Sequence, residues 1–140
     1  MGKAVLESLI KLFNQDTQLL TVNASEQAIA AKFAQYLQPH FEGYDVDVEY
    51  NRMGEAPKRV TWNEKPDEVY PDIIVHQRMA ETNVLVIELK KDSNPEKKAK
   101  DVQKLLAYRR ELSYSHALFV RLGVGANAGT VSECEWIHEQ

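Results

Sequence analysis

Three polar residues stand at the ends of two apolar stretches that would be expected to continue into a core. Asp72 directly precedes the run Ile73-Ile74-Val75-His76, and Glu88 and Lys90 follow Val84-Leu85-Val86-Ile87. Two neighbouring carboxylates repel each other, and a shared divalent cation removes that repulsion. Mg²⁺ favours one or two carboxylates with water and phosphate oxygens, and a nearby ammonium offsets charge on a phosphate. These residue types therefore indicate metal-assisted hydrolysis of a phosphodiester.

The spacing brings these residues together if the two apolar runs pair as a hairpin. The period of two in a strand puts Glu88 and Lys90 on one face. The start of the first strand then lies opposite the end of the second, so Asp72 is expected beside Glu88. The alternative is a hairpin salt bridge, worth at most about 1 kcal/mol if exposed, which leaves the additional carboxylate on that face unexplained.

Pro71-Asp72 followed, after a hairpin-sized gap, by Glu88-Leu89-Lys90 resembles the PD-(D/E)xK motif of the restriction-endonuclease-like nuclease superfamily. The likeness extends to the order of predicted elements from Ser25 to Ala117. It implies an α/β fold with an α-β-β-β-α-β core, in which helices flank a mixed central sheet. We expect one such domain over residues 1–140, since this length suits a single hydrophobic core.

The resemblance also implies a role for each residue of the motif. Asp72 and Glu88 would hold Mg²⁺ or Mn²⁺, the backbone carbonyl of Leu89 would be a further ligand, and Lys90 would be the catalytic lysine. The implied activity is hydrolysis of DNA by a one- or two-metal mechanism. The alternative is a non-catalytic module of the same fold that binds nucleic acid or a protein partner.

Many members of the superfamily also place a glutamate on the helix before the sheet, and Glu26 fits this position. Ile29, Phe33 and Leu37 follow Glu26 at helical spacing, so an acid occupies a stripe that is otherwise apolar. The structural alternative is a capping box in which Glu26 pairs with Asn23. Both interpretations remain open from the sequence.

Some of these nucleases carry a Gln and a Tyr four residues apart on the following helix, but Gln103 and Tyr108 are five apart. An interval of five residues is about 500° of helical rotation, which leaves the two side chains about 140° apart around the helix. They therefore cannot easily face one site. We expect Gln103 to contact a phosphate or water and Tyr108 to pack. His76 lies four residues after Asp72 on the same strand face, although a structural role is expected for each histidine.

Hydrophobic periodicity predicts the elements that would position these residues. A first helix ends near Asn14, a second is stopped by Pro39, and a third carries Ala99, Val102, Leu105, Leu106 and Leu112 on one side. The predicted segments are a strand at Asp45–Tyr50, a weak strand at Lys58–Trp62, a loop at Asn63–Val69, strands at Ile73–His76 and Val84–Ile87, a helix at Glu96–Leu112, a strand at Ala117–Val120 and a turn at Gly123–Gly129.

Composition limits the remaining possibilities. The single cysteine, Cys134, excludes an internal disulfide framework and a thiolate-rich zinc site. The longest apolar runs are far shorter than the ~20 residues of a membrane span, and Met1–Phe13 is amphipathic rather than a signal peptide. We therefore expect a cytoplasmic protein without a membrane partner.

Charge is segregated along the chain, whose formal net charge is -4. Residues 90–110 carry eight basic and three acidic side chains, and the remaining residues carry nine basic and eighteen acidic ones. Lys97, Lys100 and Lys104 could lie along a nucleic-acid path, or could simply be a solvated helix face. Because one small domain supplies one site, cutting both strands of a duplex would require a homodimer or larger assembly.

Overall fold

The computed structural model describes residues 1–50, 59–61, 66–68 and 70–138. The helices are α1 (Gly2–Gln15), α2 (Thr17–Thr21), α3 (Glu26–Leu37) and α4 (Lys98–Leu112), with short 3₁₀ turns at Gln38–His40 and Gly125–Asn127. The strands are β1 (Asp45–Val48), β2 (Arg59–Thr61), β3 (Pro66–Glu68), β4 (Ile73–His76), β5 (Asn83–Lys91), β6 (His116–Leu122) and β7 (Val131–Trp136).

Five strands form a mixed sheet in the order β1-β4-β5-β6-β7. Strand β4 is antiparallel to both β1 and β5, and β7 is antiparallel to β6. Strands β5 and β6 are parallel, and α4 is the crossover that a parallel pair requires. The predicted mixed sheet flanked by helices is therefore observed, while β2 and β3 form a separate two-stranded sheet.

Two hydrophobic layers cover the sheet. Helices α1 to α3 pack on one face, where Leu12, Phe33 and Leu118 belong to the larger core. Helix α4 packs on the other face, where Leu105 and Phe119 belong to the second core. Successive residues of β4 and β5 alternate between the two cores, which explains why both strands are apolar on every side, as their sequences predict.

Several predicted segments differ from the structure. Strand β1 ends at Val48 and α4 begins at Lys98, and β3 occupies part of the predicted loop at 63–69. The predicted weak strand is present as β2, although Lys58 and Trp62 lie outside the described residues. Strand β7 was not predicted. Strand β7 lies at the edge of the sheet, and five of its six residues are polar or exposed. Its sequence therefore lacks the alternation of polar and apolar residues that is typical of a half-buried strand.

The predicted cap of α3 is also wrong. The N-cap is Ser25, whose hydroxyl accepts a hydrogen bond from the Ala28 amide at 3.1 Å. Asn23 instead adopts a left-handed conformation with φ of 55°, and its side chain accepts a hydrogen bond from Ser93. Glu26 is therefore released from capping and is available for other contacts.

None of the helices in the described part of the chain has the length and apolar character needed to cross a bilayer.

Candidate active site

The hairpin of β4 and β5 brings Asp72 and Glu88 together. Ile73 pairs with Ile87 in the observed register, so the residues next to them, Asp72 and Glu88, face each other at the end of the ladder. The two carboxyl groups are close enough to interact, since the charge of Asp72 contributes to raising the pKa of Glu88.

Burial disfavours the charged form of both carboxyl groups. Glu88 is only 6% exposed, and burial together with the neighbouring charge of Asp72 raises the pKa of Glu88 well above its usual value. Burial also raises the pKa of Asp72, although the Leu89 amide and the Lys90 ammonium oppose this shift. A divalent cation between the two groups would favour the charged form of both carboxylates.

The backbone at Leu89 takes part in the same arrangement. Oδ2 of Asp72 accepts a hydrogen bond from the Leu89 amide at 2.7 Å. Continuing the β4–β5 register would place Leu89 opposite Pro71, which lacks the N–H that a full ladder pair requires. Because the N–H and C=O of one strand residue leave on the same edge, the Leu89 carbonyl also faces the Asp72 side.

Lys90 lies on the same face of β5 as Glu88 and is held by two acids. Its Nζ atom is 2.9 Å from Oε2 of Glu96 and 3.4 Å from Oδ2 of Asp101. Burial alone would lower the pKa of Lys90, but the hydrogen bond to Glu96 and the charge of Asp101 outweigh it and raise the pKa. The ammonium therefore stays charged next to the carboxyl pair.

Glu26 projects from the start of α3 toward the end of β5. Its Oε2 atom accepts a hydrogen bond from the Lys91 amide at 2.7 Å, and both carboxylate oxygens contact the Asn94 side-chain amide. Its charge also contributes to the raised pKa of Lys90. The structure thus places Glu26 beside the motif residues rather than in a capping box with Asn23.

Helix α4 presents Tyr108 to the second core, where packing was expected, and Gln103 to solvent. The Tyr108 hydroxyl is buried and donates a hydrogen bond to Oε1 of Glu88 at 3.0 Å. Gln103 is exposed on the far side of the helix. Gln103 and Tyr108 lie on different sides of α4, as their spacing predicts. The buried side is the one that carries Tyr108 together with Leu105 and Leu112.

Asp101 is a site residue that the sequence analysis missed. It is 3% exposed, and Leu105, Tyr108 and Leu112 follow it at intervals of four, seven and eleven residues. This is the signal that singled out Glu26, namely an acid on an otherwise apolar helical stripe. Of the predicted stripe, Leu105 and Leu112 are buried and Val102 and Leu106 pack against the second core, whereas Ala99 is exposed.

His76 lies at the opposite end of β4, away from Asp72. Its Nε2 atom is 2.7 Å from Oδ2 of Asp47 on the neighbouring strand, and its ring contacts Tyr50 with a centroid distance of 4.7 Å. Arg78 also hydrogen-bonds to the Asp47 carboxylate. This cluster ties β1 to β4 and is separate from the carboxyl pair.

The basic segment is partly neutralised within the chain. Lys98 pairs with Glu133 and Glu135 on β7, and Lys100 pairs with Glu96 at 2.9 Å. Lys97 is exposed just before α4, and the charge of Lys104 reaches Asp101. The segment therefore presents less net positive charge than its sequence indicates.

The donor set suits a hard cation with few protein ligands. Within residues 1–50, 59–61, 66–68 and 70–138, no group of three or more His, Cys, Asp or Glu side chains is arranged to hold a metal ion. Asp72, Glu88 and the Leu89 carbonyl instead supply two carboxylates and one carbonyl. Mg²⁺ accepts such a set, because it keeps several water molecules and requires only oxygen ligands.

Comparison with known proteins gives limited similarity. No protein-family model matches the chain, and no curated protein matches it. Among solved structures, the crystal structure of SSO0001 is similar with 15% sequence identity and a TM-score of 0.41, covering 94% of this chain and 65% of that chain. The function of this chain must therefore be inferred from its own residues.

Proposed function

We propose that this protein is a metal-dependent nuclease that hydrolyses phosphodiester bonds of DNA. The observation that carries the proposal is the carboxyl pair of half-buried Asp72 and buried Glu88 at the end of the β4–β5 hairpin, with the Lys90 ammonium on the same face. A carboxyl pair of this kind is costly to bury and is rarely kept for stability alone.

Asp72, Glu88 and the Leu89 carbonyl would hold Mg²⁺ or Mn²⁺. When bound, the cation supplies Lewis-acid chemistry, since it polarises the phosphate and lowers the pKa of bound water. Tyr108 fixes one oxygen of Glu88 through its hydroxyl, and the Glu88 carboxyl group lies beside Asp72. The Leu89 amide fixes Asp72 in the same manner. The chain thus orients both carboxylates before a ligand arrives.

Lys90 supplies positive charge where a phosphate would gain negative charge. Its side chain is 13% exposed, so the ammonium is mostly shielded from water but still reaches the surface of the site. A charge in such an environment stabilises a transition state more strongly than the same charge in bulk water. Glu26 adds a further carboxylate near this position and would orient the attacking water or a second cation.

The test is cleavage of labelled single- and double-stranded DNA and RNA with Mg²⁺, Mn²⁺ or no divalent cation. We expect DNA to be cut only with the cation, and Lys90→Ala to abolish cutting. Lys91→Ala is the matched control, because it removes the same charge from the next residue, which points to the other face of β5. Equal activity of wild type and Lys90→Ala would refute the proposal, and cleavage of RNA alone would change its substrate.

The alternative is a non-catalytic module that binds nucleic acid or a protein partner. The ion pairs of Lys90 with Glu96 and Asp101 favour it, since they occupy the ammonium within the chain. This alternative predicts that the wild-type protein binds DNA or a protein without cutting DNA under any of the metal conditions.

A further inference from the structure

We propose that Asp101 is the positioning residue that holds the Lys90 ammonium at the candidate site. The inference rests on the proposed function, because it assigns a residue outside the recognised motif to the same site. Asp101 would act through Lys90 and would not itself touch the substrate.

The burial of the two acids around Lys90 distinguishes their contributions. Side-chain exposure is 41% for Glu96 and 4% for Asp101. Water and salt screen the pair with Glu96, whereas the pair with Asp101 lies in a low-dielectric environment where the same separation gives a stronger attraction. Glu96 also shares its carboxylate with Lys100. Asp101 is therefore the buried partner of Lys90.

The geometry of the Asp101 contact favours positioning over simple pairing. Oδ2 of Asp101 is buried and lies 3.4 Å from the Lys90 Nζ atom. A buried carboxylate is costly unless a cation pairs with it, and burial raises the pKa of Asp101 while the Lys90 ammonium opposes that shift. The placement is explained if the carboxylate serves to direct the ammonium.

Helix α4 gives Asp101 a rigid support. Leu105 and Leu112 anchor the helix in the second core, and Tyr108 on the same face contacts Glu88. One helix face therefore holds two side chains of β5, Glu88 through Tyr108 and Lys90 through Asp101. Residues seven apart on a helix lie about 10 Å apart along its axis and nearly in line, which suits two contacts along one strand.

The first arm of the test observes Lys90 without an activity assay. In ¹⁵N-labelled protein, the ammonium signal of an ordered lysine is visible by NMR at low temperature, and the Lys90 signal is identified by its absence in Lys90→Arg. We expect this signal to persist in Glu96→Gln. In Asp101→Asn we expect the ammonium protons of Lys90 to exchange with water fast enough that the signal is lost. An unchanged Lys90 signal in Asp101→Asn would overturn the proposal.

The second arm is a double-mutant cycle on cleavage. Asp101→Asn is expected to lower kcat at least about tenfold with little change in KM, while Glu96→Gln lowers it less than about threefold. In a Lys90→Ala background, Asp101→Asn should have no further effect. An equal loss in both backgrounds would mean that Asp101 acts on the fold, and would refute the positioning role.

Two controls keep the outcomes separate. Thermal unfolding shows whether Asp101→Asn folds, and Asp101→Ser replaces it in both arms if it does not. If the wild-type protein cuts no substrate, the proposed nuclease function fails, whereas the NMR arm still decides whether Asp101 positions Lys90.

Discussion

The Tyr108 hydroxyl donates a buried hydrogen bond of 3.0 Å to Oε1 of Glu88, which links α4 to the end of β5 across the second core. Tyr114, also on the α4 side of the sheet, has a buried hydroxyl without a hydrogen-bond partner in the described part of the chain. The two tyrosines therefore form a matched pair for measuring the value of this link.

Tyr108→Phe should lower the free energy of unfolding by about 1–3 kcal/mol, because it leaves a buried carboxyl oxygen of Glu88 without its donor. Tyr114→Phe should change it by less than about 0.5 kcal/mol or stabilise the protein, because it removes an unsatisfied polar group. Urea unfolding monitored by circular dichroism measures both. Equal destabilisation by the two variants would show that the Glu88 contact contributes little.

Asp72→Asn and Glu88→Gln should each abolish metal-dependent cleavage and leave the fold intact. Removing one of the two repelling acids should keep or raise the melting temperature of the metal-free protein. Cleavage assays and thermal unfolding test the two halves of this statement. Glu42→Gln, an equivalent change at an exposed position, should alter neither quantity. Undiminished cleavage by Asp72→Asn would show that the motif is incidental.

Changing Lys97, Lys100 and Lys104 to Ala should weaken nucleic-acid binding equally for all sequences. For each phosphate that the variant no longer neutralises, the slope of log affinity against log salt should flatten by about 0.9 for duplex DNA or about 0.7 for single strands. Since Lys100 pairs with Glu96, we expect its removal to contribute least. Filter binding across a salt series measures the slope.

The matched control for this prediction changes Lys3, Lys11 and Lys32, which lie on α1 and α3, to Ala. Both triple variants lose the same net charge, so any general effect of charge is equal in the two. If their slopes coincide, the α4 lysines do not form the binding surface.

Ser25→Ala should lower the free energy of unfolding by about 1 kcal/mol, because Ser25 caps α3. Asn23→Ala should not reproduce a capping loss, since Asn23 lies outside the helix and contacts Ser93. Chemical denaturation of both variants distinguishes the two positions. A larger loss in Asn23→Ala would restore the capping box that the sequence suggested.

Asp47 should contribute to stability only above acidic pH. Burial alone would raise the pKa of Asp47, but hydrogen bonds from Arg78 and His76 outweigh it and lower the pKa below the usual 3.8. A lowered folded-state pKa gives stability that is present above the unfolded-state value and is lost as pH falls through the folded-state value.

Asp47→Asn should therefore destabilise the protein by about 1–3 kcal/mol at pH 7, and by progressively less as the pH falls below about 3.8. Unfolding measured from pH 7 to pH 2 in both proteins provides the comparison. Asp45→Asn, at the more exposed neighbouring acid, should have a smaller effect. A constant difference at all pH values would exclude the charge of Asp47 as the cause.

The sequence was most informative where one strand pairs with the next. The juxtaposition of Asp72 and Glu88 follows from the period of two and from hairpin pairing, both of which are local rules. The contacts of α4 with the site depend on which side of that helix meets the sheet. The basic face and the apolar stripe compete in its sequence, so the burial of Asp101 and the contact of Tyr108 with Glu88 were not predicted.

Beyond Ile87, no strand of the described residues pairs with β5 on the β4 side, and the Leu89 and Lys91 amides instead donate hydrogen bonds to the carboxylates of Asp72 and Glu26 at 2.7 Å each. The same acids thus shield a short row of backbone donors that would otherwise invite pairing with another chain. Alanine in place of Asp72 or Glu26 would expose this row of amides and favour self-association. Asn in place of Asp72, or Gln in place of Glu26, retains a side-chain acceptor. Loss of activity in an alanine variant could therefore reflect aggregation as much as chemistry.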